Sequence, residues 1–165
     1  MTHLEDVYLE AEECIRNENY LHAKQLLESI IMEEPDFVPA HNSLGWIYKS
    51  QLDDYHRAEN HFVRALKTDK NYPHTYNNLF KLYTDLEQWE KIKSLAKKAI
   101  QVPLVDKALV YYRLGIAEEF QMNFEEAILY YKKAIQRCLN FENIESYKKA
   151  IANCEYKQTI NFPLL

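Results

Sequence analysis

Glycine is nearly absent: the 165 residues contain two, Gly45 and Gly115. A P-loop, a dinucleotide fingerprint or a nucleophile elbow needs at least two glycines close together, so none of these is present. Cysteine is equally sparse. Cys14, Cys138 and Cys154 form an odd set without a C-x-x-C pair, and they read as reduced thiols of a cytoplasmic protein. No apolar run approaches the roughly 18 residues of a membrane span. The first residues, Met1 to Asp6, lack the basic and apolar regions of a secretory signal. A clustered excess of Lys and Arg is also missing. The formal net charge is −5, which argues against a sequence-independent nucleic-acid binder. The six histidines contain no H-E-x-x-H, and His56 and His61 are spaced badly for one helix face. Acidic pairs such as Glu12-Glu13, Glu33-Glu34 and Glu125-Glu126 read as solvated charges or helix-dipole partners. The expectation is a chain with no metal, no cofactor and no catalytic residues, bound neither to nucleic acid nor to a membrane.

What the chain does have is tyrosine, 13 of them, within a composition that is 47% hydrophobic and 27% charged. Tyrosine buries a ring while leaving a hydroxyl wet, which suits a structure with little deep interior. It also has a repeat. Ala23, Ala58, Ile92 and Ala127 follow one another at 35, 34 and 35 residues. Leu27, Phe62, Ala96 and Tyr131 lie four residues after each of these, and Ile30, Ala65, Ala99 and Ala134 three later again. Upstream, Ala11, Leu44-Gly45, Leu79-Phe80 and Leu114-Gly115 recur with the same period. Apolar residues within each unit keep three and four spacing, the helical period, and nothing alternates long enough for a strand.

Each unit therefore predicts two helices. The first helices are expected over 2–16, 38–50, 73–86 and 106–121, and the second over 20–33, 54–67, 89–101 and 124–137. Thr2 and Glu5 predict a capping box, and Asn123 with Glu126 its Asn-headed analogue. Pro35, Pro73 and Pro103 fall between helices, where a missing N–H does little harm. Short connections make successive helices antiparallel neighbours. Residues 143–157 predict one more helix, with Ile144, Tyr147, Ile151 and Cys154 on one face. It is expected to cap the array, so that removing 142–165 bares apolar surface on the Ile128 and Leu139 sides.

These units resemble the tetratricopeptide repeat, a 34-residue helix-turn-helix with the pattern W-x2-L-G-x2-Y, then A-x3-F, then A and P. The chain carries Leu44-Gly45-x-x-Tyr48 followed by Ala58-x-x-x-Phe62-x-x-Ala65. It carries Tyr111-x-x-Leu114-Gly115 followed by Ala127-x-x-x-Tyr131-x-x-Ala134. The first unit keeps Ala11, Ala23 and Pro35; the third departs, with Phe80 and Ile92 where small residues are usual. The resemblance implies an all-α right-handed solenoid of four hairpins plus a C-terminal capping helix. The single domain divides into repeats at about 4–37, 38–72, 73–107 and 108–141, with cap and tail at 142–165.

The resemblance also implies a non-enzymatic adaptor or scaffold that binds a protein or an extended peptide along a concave groove lined by the first helices. Carried over position by position, the first unit offers Glu5, Tyr8, Leu9, Glu12, Ile15 and Arg16, and the second includes Ser43. The residues selected as the groove are Asn42, Trp46, Lys49, His74, Asn77, Asn78, Lys81, Tyr112, Arg113 and Ile116. The asparagines can hold a peptide backbone, and Trp46 and Tyr112 offer rigid contact area. The Lys81 and Arg113 heads, expected to face solvent, point to a ligand with an acidic residue or a free C-terminus. The carboxylate clamp of chaperone-binding members is not carried in either register: Tyr8, Glu12, Ser43 and His74 stand in one, Trp46 and Leu109 in the other. The alternative to peptide binding is a homodimer formed through exposed helix faces.

Overall fold

The structure, a computed structural model, describes residues 2–160, so the last five residues of the expected tail lie outside the described residues. Among the described residues it contains nine helices and no strand. They are α1 (His3–Arg16), α2 (Tyr20–Glu33), α3 (Val38–Ser50), α4 (Tyr55–Thr68), α5 (Pro73–Asp85), α6 (Trp89–Ala99), α7 (Lys107–Phe120), α8 (Phe124–Arg137) and α9 (Phe141–Thr159). The chain divides into two compact units, Met1–Leu82 and Tyr83–Leu165, and the division falls inside α5.

In the first unit α1 packs on α2, α2 on α3 and α3 on α4. The periodic residues of the sequence form the core: Ala11, Ala23, Leu27, Ile30, Leu44, Ala58, Phe62 and Ala65 are fully buried. Each large apolar side chain so buried contributes about 1.5–3 kcal/mol. Gly45 explains the closest approach. A Cβ there would stand 2.5 Å from Phe62 Cε1, so only glycine lets that ring lie against α3. The third repeat's Phe80 is also fully buried.

In the second unit α7 packs on α6 and α8, and α9 closes on α8. Gly115 repeats the role of Gly45, with Tyr131 as the ring its missing Cβ admits. Ala127, Tyr131 and Cys154 form a buried cluster, with Tyr112, Ile116, Ile128, Ala150 and Ile151 packed around it. The expected inner face of α9 is thus the observed one, and Tyr147 is buried with Cys154. Leu139 is different. It is fully exposed in the α8–α9 connection, so the cap covers the Ile128 side alone.

The four hairpin turns share one backbone device. Glu18, Asp53, Glu87 and Met122 each take a positive φ, between 50° and 60°, although none is glycine. In three of the four turns the following residue donates its N–H five residues back: Asn19 to Cys14, Gln88 to Tyr83 and Asn123 to Glu118, at 2.8–2.9 Å. This closes the helix C-terminus in the Schellman manner. The α3–α4 turn is one residue longer, and Asp54 N–H reaches Tyr48 O.

Capping follows the sequence at the N-terminus and departs from it later. Thr2 and Glu5 form the full box. Asn123 makes no side-chain cap, because its amide donates to Glu118 Oε2 at 2.8 Å and is turned away from the α8 N–H groups. The charge-assisted bond from Nδ2 to Glu118 fixes the amide's orientation, and Oδ1 makes no cap.

Candidate functional site

The first unit holds a pocket of about 350 Å³ lined by the first helices of its repeats and by the residue leading into α5. From α1 come Tyr8, Glu12 and Ile15; from α3, Asn42, Ser43 and Trp46; from α5, His74, Asn77 and Asn78; and Tyr72 precedes α5. Helical periodicity places them. Tyr8, Glu12 and Ile15 are spaced four and three apart, and Asn42 and Trp46 four apart, so each set shares a face.

The pocket wall is tied by polar contacts. Asn42 Oδ1 accepts from Thr75 Oγ1 and from Asn78 Nδ2, both at 3.0 Å, which pins α3 to the start of α5. Ser43 Oγ donates to Glu12 Oε1 at 2.6 Å, and Tyr8 Oη lies 3.3 Å from the same Ser43 oxygen. Aromatic contacts brace the rest: Tyr8 on Phe37 at 5.7 Å, Tyr20 on Trp46 at 5.9 Å and Tyr72 edge-on to His74 at 5.4 Å. Burial raises the Tyr8 phenol above its usual range, with the Glu12 charge adding to it and the Ser43 hydrogen bond opposing. Burial also raises Tyr72, and Glu12 and Asp69 reinforce it.

Of the residues selected from sequence, Asn42, Trp46, His74, Asn77 and Asn78 meet in this pocket. Lys49 and Lys81 belong to the same unit but do not line it. Tyr112, Arg113 and Ile116 belong to the second unit, where α9 and α8 engage two of them. Tyr112 packs at a tilt against Tyr147 at 4.7 Å and Tyr131 at 5.7 Å, and Ile116 packs on the Cys154 cluster. Arg113 corrects an expectation. Its head is half-buried rather than solvent-facing, because α7 turns it toward Thr84, where Nη1 donates to Oγ1 at 3.4 Å. Burial lowers its pKa, and its Nε is buried without a hydrogen-bond acceptor among the described residues.

The pocket also contains residues that were on the groove positions but not selected: Tyr8, Glu12, Ile15 and Ser43. Their signal was the repeat register itself. Tyr72 lies outside the helices, and no periodicity could have found it. No group of three His, Cys, Asp or Glu side chains among the described residues could hold a metal ion. No helix among them is long and apolar enough to cross a membrane.

Known proteins place these features in context. The family model described as tetratricopeptide repeat matches residues 38–72 and 108–141. Superkiller protein 3 of Schizosaccharomyces pombe is 25% identical over 128 residues, 73% of this chain, and the chain spans 9% of that protein's length. The structure of PilF of Pseudomonas aeruginosa superposes with a TM-score of 0.79 at 18% identity, over 94% of this chain and 68% of that one. The MamA crystal structure superposes with a TM-score of 0.73 at 17% identity, covering all of both chains. These likenesses show the fold. Tetratricopeptide-repeat proteins generally mediate protein–protein interaction and scaffolding. With glycine-to-ring packing observed in both matched segments, the chain carries tetratricopeptide repeats at 38–72 and 108–141.

Proposed function

We propose that this chain is a non-enzymatic protein-interaction module that holds an extended segment of a partner protein in the pocket of its first unit. The observation that carries this reading is the pocket itself. Three successive first helices contribute rigid aromatic walls and amide groups to one concavity. Trp46 and Tyr72 provide contact area at small rotamer loss. Asn77 offers a donor and an acceptor to a peptide backbone.

A site-specific photo-crosslinker tests it. Placed at position 77 it should capture a partner from the native lysate, whereas placed at the exposed Leu21 on α2 it should not. Capture at 21 with none at 77 would move binding to the other face.

A second reading, self-association, is favoured by a specific patch on the second unit. Phe120 and Met122 are 62% and 69% exposed, and Phe120 stacks on Trp89 at 4.7 Å. Exposed aromatic surface of this kind marks contact sites. Light scattering over a concentration series separates the readings. Mass growth that Phe120→Ser abolishes supports a homodimer through this patch, and a constant monomer mass removes it.

A further inference from the structure

The charge of the first-unit pocket identifies the kind of side chain it takes. Glu12 is half-buried, and among the described residues it has no ion-pair partner. Among the described residues that line the pocket it is the one carboxylate, and neither Lys nor Arg is present. The hydrogen bonds around it all run one way. Ser43 gives its single hydroxyl proton to Glu12, so the Tyr8 hydroxyl, 3.3 Å from Ser43 Oγ, is the donor in that contact. The relay Tyr8 to Ser43 to Glu12 therefore ends in a negative charge held in a concave site. A half-buried carboxylate with no countercharge beside it attracts a cation.

The walls suit the same cation. Trp46, Tyr72 and His74 line the pocket beside Glu12. Indole and phenol faces attract cations. A planar guanidinium can stack on them while its fork meets a carboxylate, which a compact ammonium cannot do. Tyr72 and Glu12 line the same pocket, so ring and carboxylate share one site.

We propose that this pocket anchors the bound segment by an arginine side chain, its guanidinium on Glu12 and its plane against the aromatic wall. The proposal rests on the peptide-binding reading above and gives it a sign: a basic anchor, not the acidic one that Lys81 and Arg113 suggest from sequence.

The test uses a random dodecapeptide library displayed on phage, panned on the whole chain and on Glu12→Gln. Circular dichroism establishes that the variant is folded. The wild-type pool should be enriched in arginine at one position. Synthetic peptides from it should bind Glu12→Gln about 10–100-fold more weakly, the range of a lost charged hydrogen bond. Replacing that arginine by citrulline, which keeps the shape and removes the charge, should cause a similar loss against the unaltered chain. This second arm needs no protein variant and decides the matter if Glu12→Gln fails to fold. A pool rich in aspartate, glutamate or free C-termini would overturn the arginine anchor while leaving the groove reading intact. So would a lysine-only pool, or citrulline peptides that bind as well. A library that yields no binder for the first unit, or binders unaffected by Trp46→Ala, would overturn the groove reading itself.

Discussion

Replacing Gly115 by alanine tests the packing rule of the repeat at its most constrained point. Alanine is the better helix former by about 0.8–1.0 kcal/mol, so propensity alone would make the change stabilising. Packing opposes it. The new Cβ would overlap Tyr131, where Cε1, Cδ1 and Cζ all lie under 3.0 Å from its position. The ring has nowhere to retreat. Tyr131 is 1% exposed, and its hydroxyl donates to Glu119 Oε2 at 2.6 Å. Glu119 is held in turn by Lys157 Nζ at 2.7 Å. Overpacking costs about 1–3 kcal/mol, and breaking a hydrogen bond to a charged acceptor about 1.5–3 kcal/mol. The net expectation is a loss of about 2–4 kcal/mol. Gly45→Ala provides the internal comparison. It meets Phe62 at the same short range, but that ring has no hydroxyl to anchor it. Its net cost should be about 0–2 kcal/mol. Urea unfolding followed by circular dichroism at 222 nm measures both. Equal losses, a reversed order or a stabilised Gly115→Ala would refute the idea that a tethered ring sets the limit. Combining Gly115→Ala with Tyr131→Leu should cost less than the two changes added together, since the second removes what the first collides with.

Three further outcomes follow from the same structure. Deleting α9, residues 141–159, bares Ala127 and Tyr131 of the buried cluster, so the shortened chain should aggregate at concentrations where the whole chain does not, as size-exclusion chromatography would show. His61, its Nδ1 2.9 Å from that of His41, has its pKa lowered to about 4 from 6.5 by burial, then by His41. The folded state therefore resists a proton that the unfolded chain accepts. Stability should be full above about pH 6.5 and fall as pH drops toward 4, by about 1–2 kcal/mol after allowing for solvent screening, and His61→Gln should flatten that part of the profile. Met122→Gly should stabilise by about 0.5–1 kcal/mol in thermal melts, because the side chain is exposed and the backbone is left-handed.

The core was legible because it depends on a period. Ala23, Leu27 and Ile30, with their counterparts one repeat on, are each buried where the spacing put them. Half of the selected groove residues meet in one pocket for the same reason: register on a helix fixes which way a side chain points. Register does not say what stands opposite. Tyr112 and Ile116 occupy groove positions, yet α9 lies against them, and only the packed structure shows it. Arg113 looks like a solvent-facing cation in the sequence because its sequence neighbours do not reveal Thr84, 29 residues earlier. The His41–His61 contact is likewise invisible to spacing along one helix, because it joins α3 and α4.

The left-handed residues of the hairpin turns bear on how the chain folds. An L-residue in that conformation lies about 1–2 kcal/mol above its helical alternative. Glu18, Asp53, Glu87 and Met122 therefore leave every hairpin with a small opposing term at its bend. A glycine at each bend would let a single hairpin close early, alone. In the second and fourth hairpins that term is offset by Phe62 or Tyr131 packed against its glycine. Both glycines serve interhelical contact and neither serves a turn, so each hairpin relies on packing to hold its bend.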